Sequence, residues 1–250
     1  MSPPHDFSGQ TAVVTGGTRG LGRAIALDLL ARGATVYATW NKNEAAASEL
    51  GNAAGEYASR LRLARFDVGD SAGVATFWER VEGECPDGVQ VLVSNSGVRR
   101  DAALALMSEA DWRAVLDTNL TGTFLMAKGA VRLMARRRYG RIVLITSPSA
   151  RHGFEGQSNY AASKAGQIGL MRSLAREVAK RNITVNCVSP GFVDTELLAD
   201  LSPAQKDEFK KSVPLQRFAE PSEVAYAVRA LAAREASYIT GAVLEVAGGL

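Results

Sequence analysis

Cysteine and histidine are almost missing: Cys85, Cys187, His5 and His152 are the only ones among 250 residues. Two thiols so far apart in the chain exclude a disulfide framework and a cysteine zinc site. Two isolated histidines exclude a histidine-rich metal centre and a metalloprotease helix. Neither stands in a triad context, so both read as incidental, and no metal is expected. Long apolar runs are missing too. No stretch reaches about 18 apolar residues, and Met1–Thr11 carries no apolar signal core. The expectation is a cytoplasmic, thiol-reducing setting without membrane attachment. Aromatic residues make up 7% and the formal charge is +3. A nucleic-acid binder would need stacking aromatics and a wider basic surface. The densest basic run, Arg136-Arg137-Arg138 with Arg141, is short and reads first as a solvated helix end.

What is present is apolar and alternating. Apolar residues reach 46%, enough for a sizeable core. Short β-branched runs near Thr11–Thr15, Thr35–Thr39, Leu63–Asp67, Val89–Ser94, Arg141–Thr146, Thr184–Val188 and Val243–Val246 read as strands. Helical patterns lie between them, among them Gly22–Ala31, Asp111–Ala135 and Tyr160–Lys180. Near-continuous apolar strands alternating with helices predict a parallel sheet covered on both faces. Right-handed crossovers make that an α/β, Rossmann-type doubly wound sheet of about seven strands. No linker, repeat or low-complexity tract interrupts residues 1–250, so one domain is expected. Gln205–Lys211, between Pro203 and Pro214, reads either as a mobile excursion, part of a substrate lid over 192–214, or as an ordinary surface helix.

The first strand runs straight into Gly16-Gly17-Thr18-Arg19-Gly20-Leu21-Gly22 and then a helix. Glycines permit positive φ and close backbone approach, and the helix start offers free N–H groups and a positive dipole end to a pyrophosphate. Between a first strand and a first helix, that turn is a strong dinucleotide signal. An NAD-specific site places an acid at the end of the second strand. Here the stretch is Trp40-Asn41-Lys42-Asn43, with no acid. Arg19 and Lys42 could instead meet a 2′-phosphate through charge-assisted contacts of about 1.5–3 kcal/mol each, so NADP(H) is expected.

Tyr160 and Lys164 stand at i and i+4 on one helical face. Free tyrosine, with a pKa of about 10, is a poor acid–base catalyst at neutral pH. A lysine cation roughly 5 Å away would favour tyrosinate by about 3 kcal/mol, or about two pKa units. Ser147 lies just past the fifth strand, at the carboxyl edge where ligands bind. From there its hydroxyl can hold a carbonyl oxygen in line with the phenol.

The sequence resembles the short-chain dehydrogenase/reductase family over essentially its whole length. The matching motifs are T-G-G-T-R-G-L-G at Thr15–Gly22, N-S-G at Asn95–Gly97, N-L-T-G-T-F at Asn119–Phe124, Ser147 with Y-A-A-S-K at Tyr160–Lys164, and P-G-F-V-D-T at Pro190–Thr195. The resemblance implies a catalytic tetrad of Asn119, Ser147, Tyr160 and Lys164. Ser147 would orient the substrate and Tyr160 exchange the proton. Lys164 would bind the nicotinamide ribose and lower the tyrosine pKa, and Asn119 would hold a water linking Lys164 to solvent. The cofactor would be held by Gly16, Thr18, Arg19, Gly20, Leu21 and Gly22 in the turn, with Trp40, Asn41 and Lys42 at the second strand. Asp67 and Val68 would contact adenine, and Asn95, Ser96 and Gly97 would line the wall. Pro190, Gly191, Val193 and Thr195 would form the carboxamide loop.

Within the family, the likeness is greatest to bacterial reductases of 3-oxoacyl chains carried on acyl carrier protein. It implies that Arg138 and Arg181, with Arg137 beside the first, dock the acidic carrier outside the active-site mouth, and that the assembly is a homotetramer. Ser96 replaces the usual Ala of its motif, Pro148 follows the serine directly, and Ala247 stands where relatives carry Asp or Asn. These departures remove no catalytic group. A dehydrogenase or ketoreductase of a free alcohol or ketone (sugar, steroid or polyketide) stays open. A non-catalytic dinucleotide sensor is disfavoured by the complete tetrad.

Overall fold

Runs of Val, Ile, Leu and Ala leave no polar face, so the strands they form must be covered on both sides. The computed structural model describes residues 5–196 and 202–250. Its strands are β1 (Thr11–Val14), β2 (Thr35–Trp40), β3 (Leu61–Arg65), β4 (Val91–Ser94), β5 (Gly140–Ile145), β6 (Ile183–Pro190) and β7 (Val243–Val246). They form one parallel sheet in the order β3-β2-β1-β4-β5-β6-β7. The order reverses between β1 and β4, which opens a crevice at their carboxyl ends.

The helices are α1 (Gly20–Ala31), α2 (Glu44–Ala53), α3 (Ser71–Glu84), α4 (Glu109–Leu116), α5 (Gly122–Arg137), α6 (Ser149–His152), α7 (Ser158–Val178), α8 (Pro203–Ser212) and α9 (Pro221–Ala232). One core layer joins α1 and α9 to the sheet through Ile25, Leu29, Val224 and Val228. The other joins α3, α5 and α7 through Phe77, Trp78, Met126 and Met171. Among the described residues, no helix is long and apolar enough to cross a membrane.

The strand and helix alternation follows the sequence pattern, and the differences lie at ends. β3 starts and stops two residues before Leu63–Asp67. Asp67 turns out of the ladder to accept the Gly69 N–H at 2.8 Å. β4 starts at Val91 because the Gln90 side chain accepts the Thr11 N–H at 2.7 Å. The single helix expected over Asp111–Ala135 is α4 and α5 joined by a π-helical turn at Asp117–Thr121. That extra residue in the turn is where Asn119 sits. The segment Gln205–Lys211 lies within α8, which Ser202 and Gln205 cap reciprocally at 3.3 and 2.9 Å. The helix is exposed along most of its length. The rest of the expected lid includes 197–201, which lie outside the described residues.

Candidate active site

Strand β1 leaves the sheet into a turn that two groups hold rigid. Thr15 Oγ1 accepts the N–H groups of Asn95 and Ser96, both at 2.9 Å. Asn95 Nδ2 donates to the Thr15 and Gly16 carbonyls at 2.9 and 3.2 Å. Asn95 is thus a brace that fastens the end of β4 to the turn. Gly16 and Gly20 have φ of 60° and 50°, the left-handed region that side chains disfavour. A Cβ on Gly22 would stand 2.1 Å from the Gly16 carbonyl oxygen, so only glycine lets the helix press this close. Thr18 is buried and Leu21 packs on the core. Arg19 caps α1 without a side-chain hydrogen bond, and no acid occupies the first turn. The helix start therefore keeps its dipole uncompensated, as an anion seat requires.

The turn reaches β2, where Gly17 N–H donates to the Thr39 carbonyl at 3.0 Å. Trp40 and Asn41 follow. Asn41 Nδ2 donates to Asp67 Oδ2 at 2.8 Å, so the nearest acid is already engaged. Arg65, opposite Trp40 in the ladder, lays its guanidinium 5.0 Å from the indole centroid and donates to the Asn41 carbonyl at 3.1 Å. The sequence reading named Arg19 and Lys42 as the cations here and missed Arg65. Lys42 is exposed, and Arg19 lies 3.7 Å from Glu196. Val68 turns its side chain inward onto Gly122, so a ligand would meet its backbone. The residues thus fit a nicotinamide dinucleotide: an anion seat at α1, close-approach glycines and a rim that carries Arg19, Lys42 and Arg65.

The loop after β6 closes the other side. Gly191 approaches the Ala247 backbone, where a Cβ would sit 2.9 Å away. Val193 bridges to Ala219, and Thr195 lies over Gly20, within 3.8 Å of where a Cβ would be. Pro190 ends β6 itself.

Helix α7 carries Tyr160 and Lys164 one turn apart, and Lys164 is 3% exposed. Its ammonium donates to the Ile145 carbonyl at 2.7 Å and lies 5.5 Å from the Tyr160 ring centroid. Burial lowers its pKa to about 8, opposed weakly by Cys187. The expected lowering of the Tyr160 pKa is not what the structure shows. Burial raises it, the Ser147 hydroxyl and then the Arg99 guanidinium oppose the rise, and Asp101 adds to it.

Gly97 connects the groups, since a Cβ there would lie 3.4 Å from Asn119 Oδ1 and 3.7 Å from Lys164 Nζ. Asn119 is fully buried. Its Oδ1 accepts the Val98 N–H at 2.8 Å, and its Nδ2 donates to the Val98 carbonyl and Ser163 Oγ at 3.0 and 3.1 Å. Its own carbonyl accepts from Thr123 Oγ1 and Gln167 Nε2 at 2.7 and 2.8 Å. Through these bonds Asn119 ties α7 to the loop after β4.

Ser147 belongs to a chain of contacts that sequence reasoning missed. Its Oγ donates to Ser149 Oγ at 3.3 Å and accepts the Ser149 N–H at 3.2 Å. Ser149 Oγ donates to Gln157 Oε1 at 3.0 Å, and Gln157 Nε2 donates to Asp101 Oδ2 at 3.2 Å. Asp101 pairs through both oxygens with Arg99, whose guanidinium lies 5.9 Å from the Tyr160 ring centroid. Spacing alone could not have found these residues, because the loop after β4, helix α6 and the turn before α7 contribute them.

The arginines expected to dock a carrier lie at the amino-terminal edge of the sheet within one chain. Arg138 donates to the Lys180 carbonyl at 3.1 Å, which brings it beside Arg181. Both precede the starts of β5 and β6. They are therefore separated from Ser147 by the length of a strand, about 20 Å. Arg137 donates to the Pro86 carbonyl, and Arg136 pairs with Glu82.

Relatives match nearly the whole length of the chain. A family model described as Enoyl-(Acyl carrier protein) reductase matches residues 16–250. The 3-oxoacyl-[acyl-carrier-protein] reductases FabG of Aquifex aeolicus and Escherichia coli are each 42% identical, over 98% of this chain and 98% of theirs. A solved structure from Agrobacterium tumefaciens, provisionally assigned as a gluconate dehydrogenase, superposes with a TM-score of 0.93 at 29% identity. It covers 98% of this chain and 97% of its own.

Proposed function

The chain belongs to the short-chain dehydrogenase/reductase family, and from that premise we propose that it reduces a 3-oxoacyl thioester, carried on acyl carrier protein, to the 3-hydroxyacyl thioester. One observation carries the reading. The dinucleotide turn and the Ser147–Tyr160–Lys164 group meet at the same carboxyl edge of the sheet, joined through Thr15, Asn95 and Gly97. The names of the relatives at 42% identity support the substrate class.

The nicotinamide cofactor supplies hydride when bound. Gly16, Gly20 and the first N–H groups of α1 would hold its pyrophosphate, and Lys164 its ribose. The cations Arg19, Lys42 and Arg65, with no acid at the end of β2, favour NADP(H) over NAD(H), because a 2′-phosphate needs charge-assisted partners. Ser147 and Tyr160 would present their hydroxyls to the substrate carbonyl oxygen, and Tyr160 would donate the proton. A phenol whose pKa is raised stays protonated at neutral pH. For the reducing direction that is the reactive form, so burial keeps the acid loaded. A hydroxyl pair of this kind suits an oxygen that gains a proton, hence carbonyl rather than carbon–carbon double-bond reduction.

A free alcohol or ketone substrate is the second reading, favoured by the structural likeness to a protein assigned to gluconate. NADPH consumption on acetoacetyl thioesters, set against a panel of free ketones, separates the two. Tyr160→Phe is expected to lose activity by at least about a hundredfold. A rate near that of the unaltered enzyme would remove Tyr160 from the proposed role. In the same reading the enzyme works in the cytoplasm as a homotetramer. Carrier docking at Arg137, Arg138 and Arg181 then requires a neighbouring copy to bring its arginines to the mouth.

A further inference from the structure

Tyr160 must carry negative charge whenever it has given up its proton, so the fixed charges around its ring bear on the reaction. From its own helix comes Lys164, whose ammonium is turned to the Ile145 carbonyl at 2.7 Å and lies 5.5 Å from the ring centroid. From the loop after β4 come Arg99 and Asp101, and from the end of β5 the neutral hydroxyl of Ser147. Lys164 can lose its charge, because burial lowers its pKa to about 8. A guanidinium stays charged at any working pH.

We propose that Arg99 is a positioning residue for the proton transfer: its guanidinium, 5.9 Å from the Tyr160 ring centroid, is the permanent cation that stabilises the phenolate. The inference rests on the reading of Tyr160 as the proton donor. Arg99 does not depend on chance rotamers to stand there. Asp101 grips it by both oxygens, which fixes the plane of the guanidinium. Asp101 is itself held by Gln157, Gln157 by Ser149, and Ser149 by Ser147. The brace that aims the cation at Tyr160 therefore begins on the other hydroxyl of the same site. Asp101 offsets part of the effect, and the side chain of Arg99 is 40% exposed, so solvent screens part of the rest. A cation at this range that is permanently charged still favours the phenolate.

The sign is fixed by the chemistry. Removing Arg99 makes the phenolate less stable, so the alkaline rise of the oxidation reaction, which needs phenolate, moves to higher pH. The comparison is between the unaltered protein, Arg99→Leu and Arg99→Lys, with folding checked by thermal melting. The pH dependence of kcat for oxidising a 3-hydroxyacyl thioester is measured in each. Arg99→Leu is expected to move the limb upward by about half a unit or more, and Arg99→Lys to restore most of it. The second readout needs no turnover: the phenol of Tyr160 is titrated by NMR with carbon-13 at tyrosine Cζ, its resonance assigned with Tyr160→Phe. It should move in the same direction. A limb and a phenol titration both unmoved in Arg99→Leu would overturn the proposal. So would a rise in KM with both unmoved, which would make Arg99 a substrate-docking cation instead. If the protein turns over no thioester while the phenol shifts, the substrate reading fails and the Arg99 inference stands.

Discussion

Lys164 is a buried cation whose closest partner is a single carbonyl, so its ammonium is held at a cost. Its pKa falls from the ordinary 10.5 to about 8, which corresponds to about 3 kcal/mol at neutral pH. Below pH 8 the amine is protonated in the folded and unfolded chain alike, and the fold bears the whole cost. Between about 8 and 10.4 the unfolded chain holds more protons, so stability rises with pH. Lys164→Met has no such titration. Urea unfolding from pH 7 to 10 should therefore show the unaltered protein gaining about 2–3 kcal/mol relative to Lys164→Met. A difference that stays flat with pH would mean that the amine is not desolvated. At this scale the identities of Ser147, Tyr160 and Lys164 were legible, because the helical spacing and the strand end place them together. Their electrostatics were not. The expected lowering of the tyrosine pKa counted a neighbouring charge and left out burial, and burial dominates. Arg99, Asp101 and Gln157 stayed hidden because each makes its contact across a loop.

Elements carry the next level of the argument, since the site is precise only where backbone meets backbone. Helix α1 can press on the first turn because Gly22 has no side chain. Gly22→Ala would put a Cβ 2.1 Å from the Gly16 carbonyl oxygen and 2.6 Å from Asn95 Nδ2. Neither can yield without disturbing the brace to Thr15. The expected destabilisation is about 1–3 kcal/mol, with NADPH affinity, read by cofactor fluorescence, weakened by about tenfold or more. Gly51→Ala is the control: it sits in α2 with nothing within 4 Å of the new Cβ. It should raise the melting temperature, since alanine is the better helix former. If both variants behaved alike, the close approach at Gly22 would have no consequence. The glycine turn and the seven strands were readable because their patterns are local. The π-helical turn at Asp117–Thr121 was not, because α4 and α5 share one apolar periodicity. What breaks the helix is the set of bonds Asn119 makes to Val98, Ser163 and Gln167, which come from elsewhere in the chain.

The whole molecule presents two surfaces that the single chain leaves open. Strand β7 is an edge with Leu244 39% exposed, and beside it Ile239 and Tyr238 are 45% and 100% exposed. An uncovered apolar edge invites pairing, and a second copy of the same chain is what the homotetramer reading would place there. Light scattering should then report about four times the chain mass of 26.5 kDa, and Leu244→Asp should lower it. The basic surface at Arg138 and Arg181 belongs to the same question. In one chain it lies at the amino edge of the sheet, on the far side from Ser147, so it can serve the reaction only if assembly carries it to another copy's mouth. Complementary charge acts mainly on encounter. Arg138→Ala with Arg181→Ala should therefore lower kcat/KM for a carrier-linked substrate by about tenfold at low salt. The loss should shrink as ionic strength rises and leave a free acetoacetyl thioester unaffected. Equal losses on both substrates would place the defect in the fold of β5 and β6. No loss on either would return these arginines to the solvated face that their sequence first suggests.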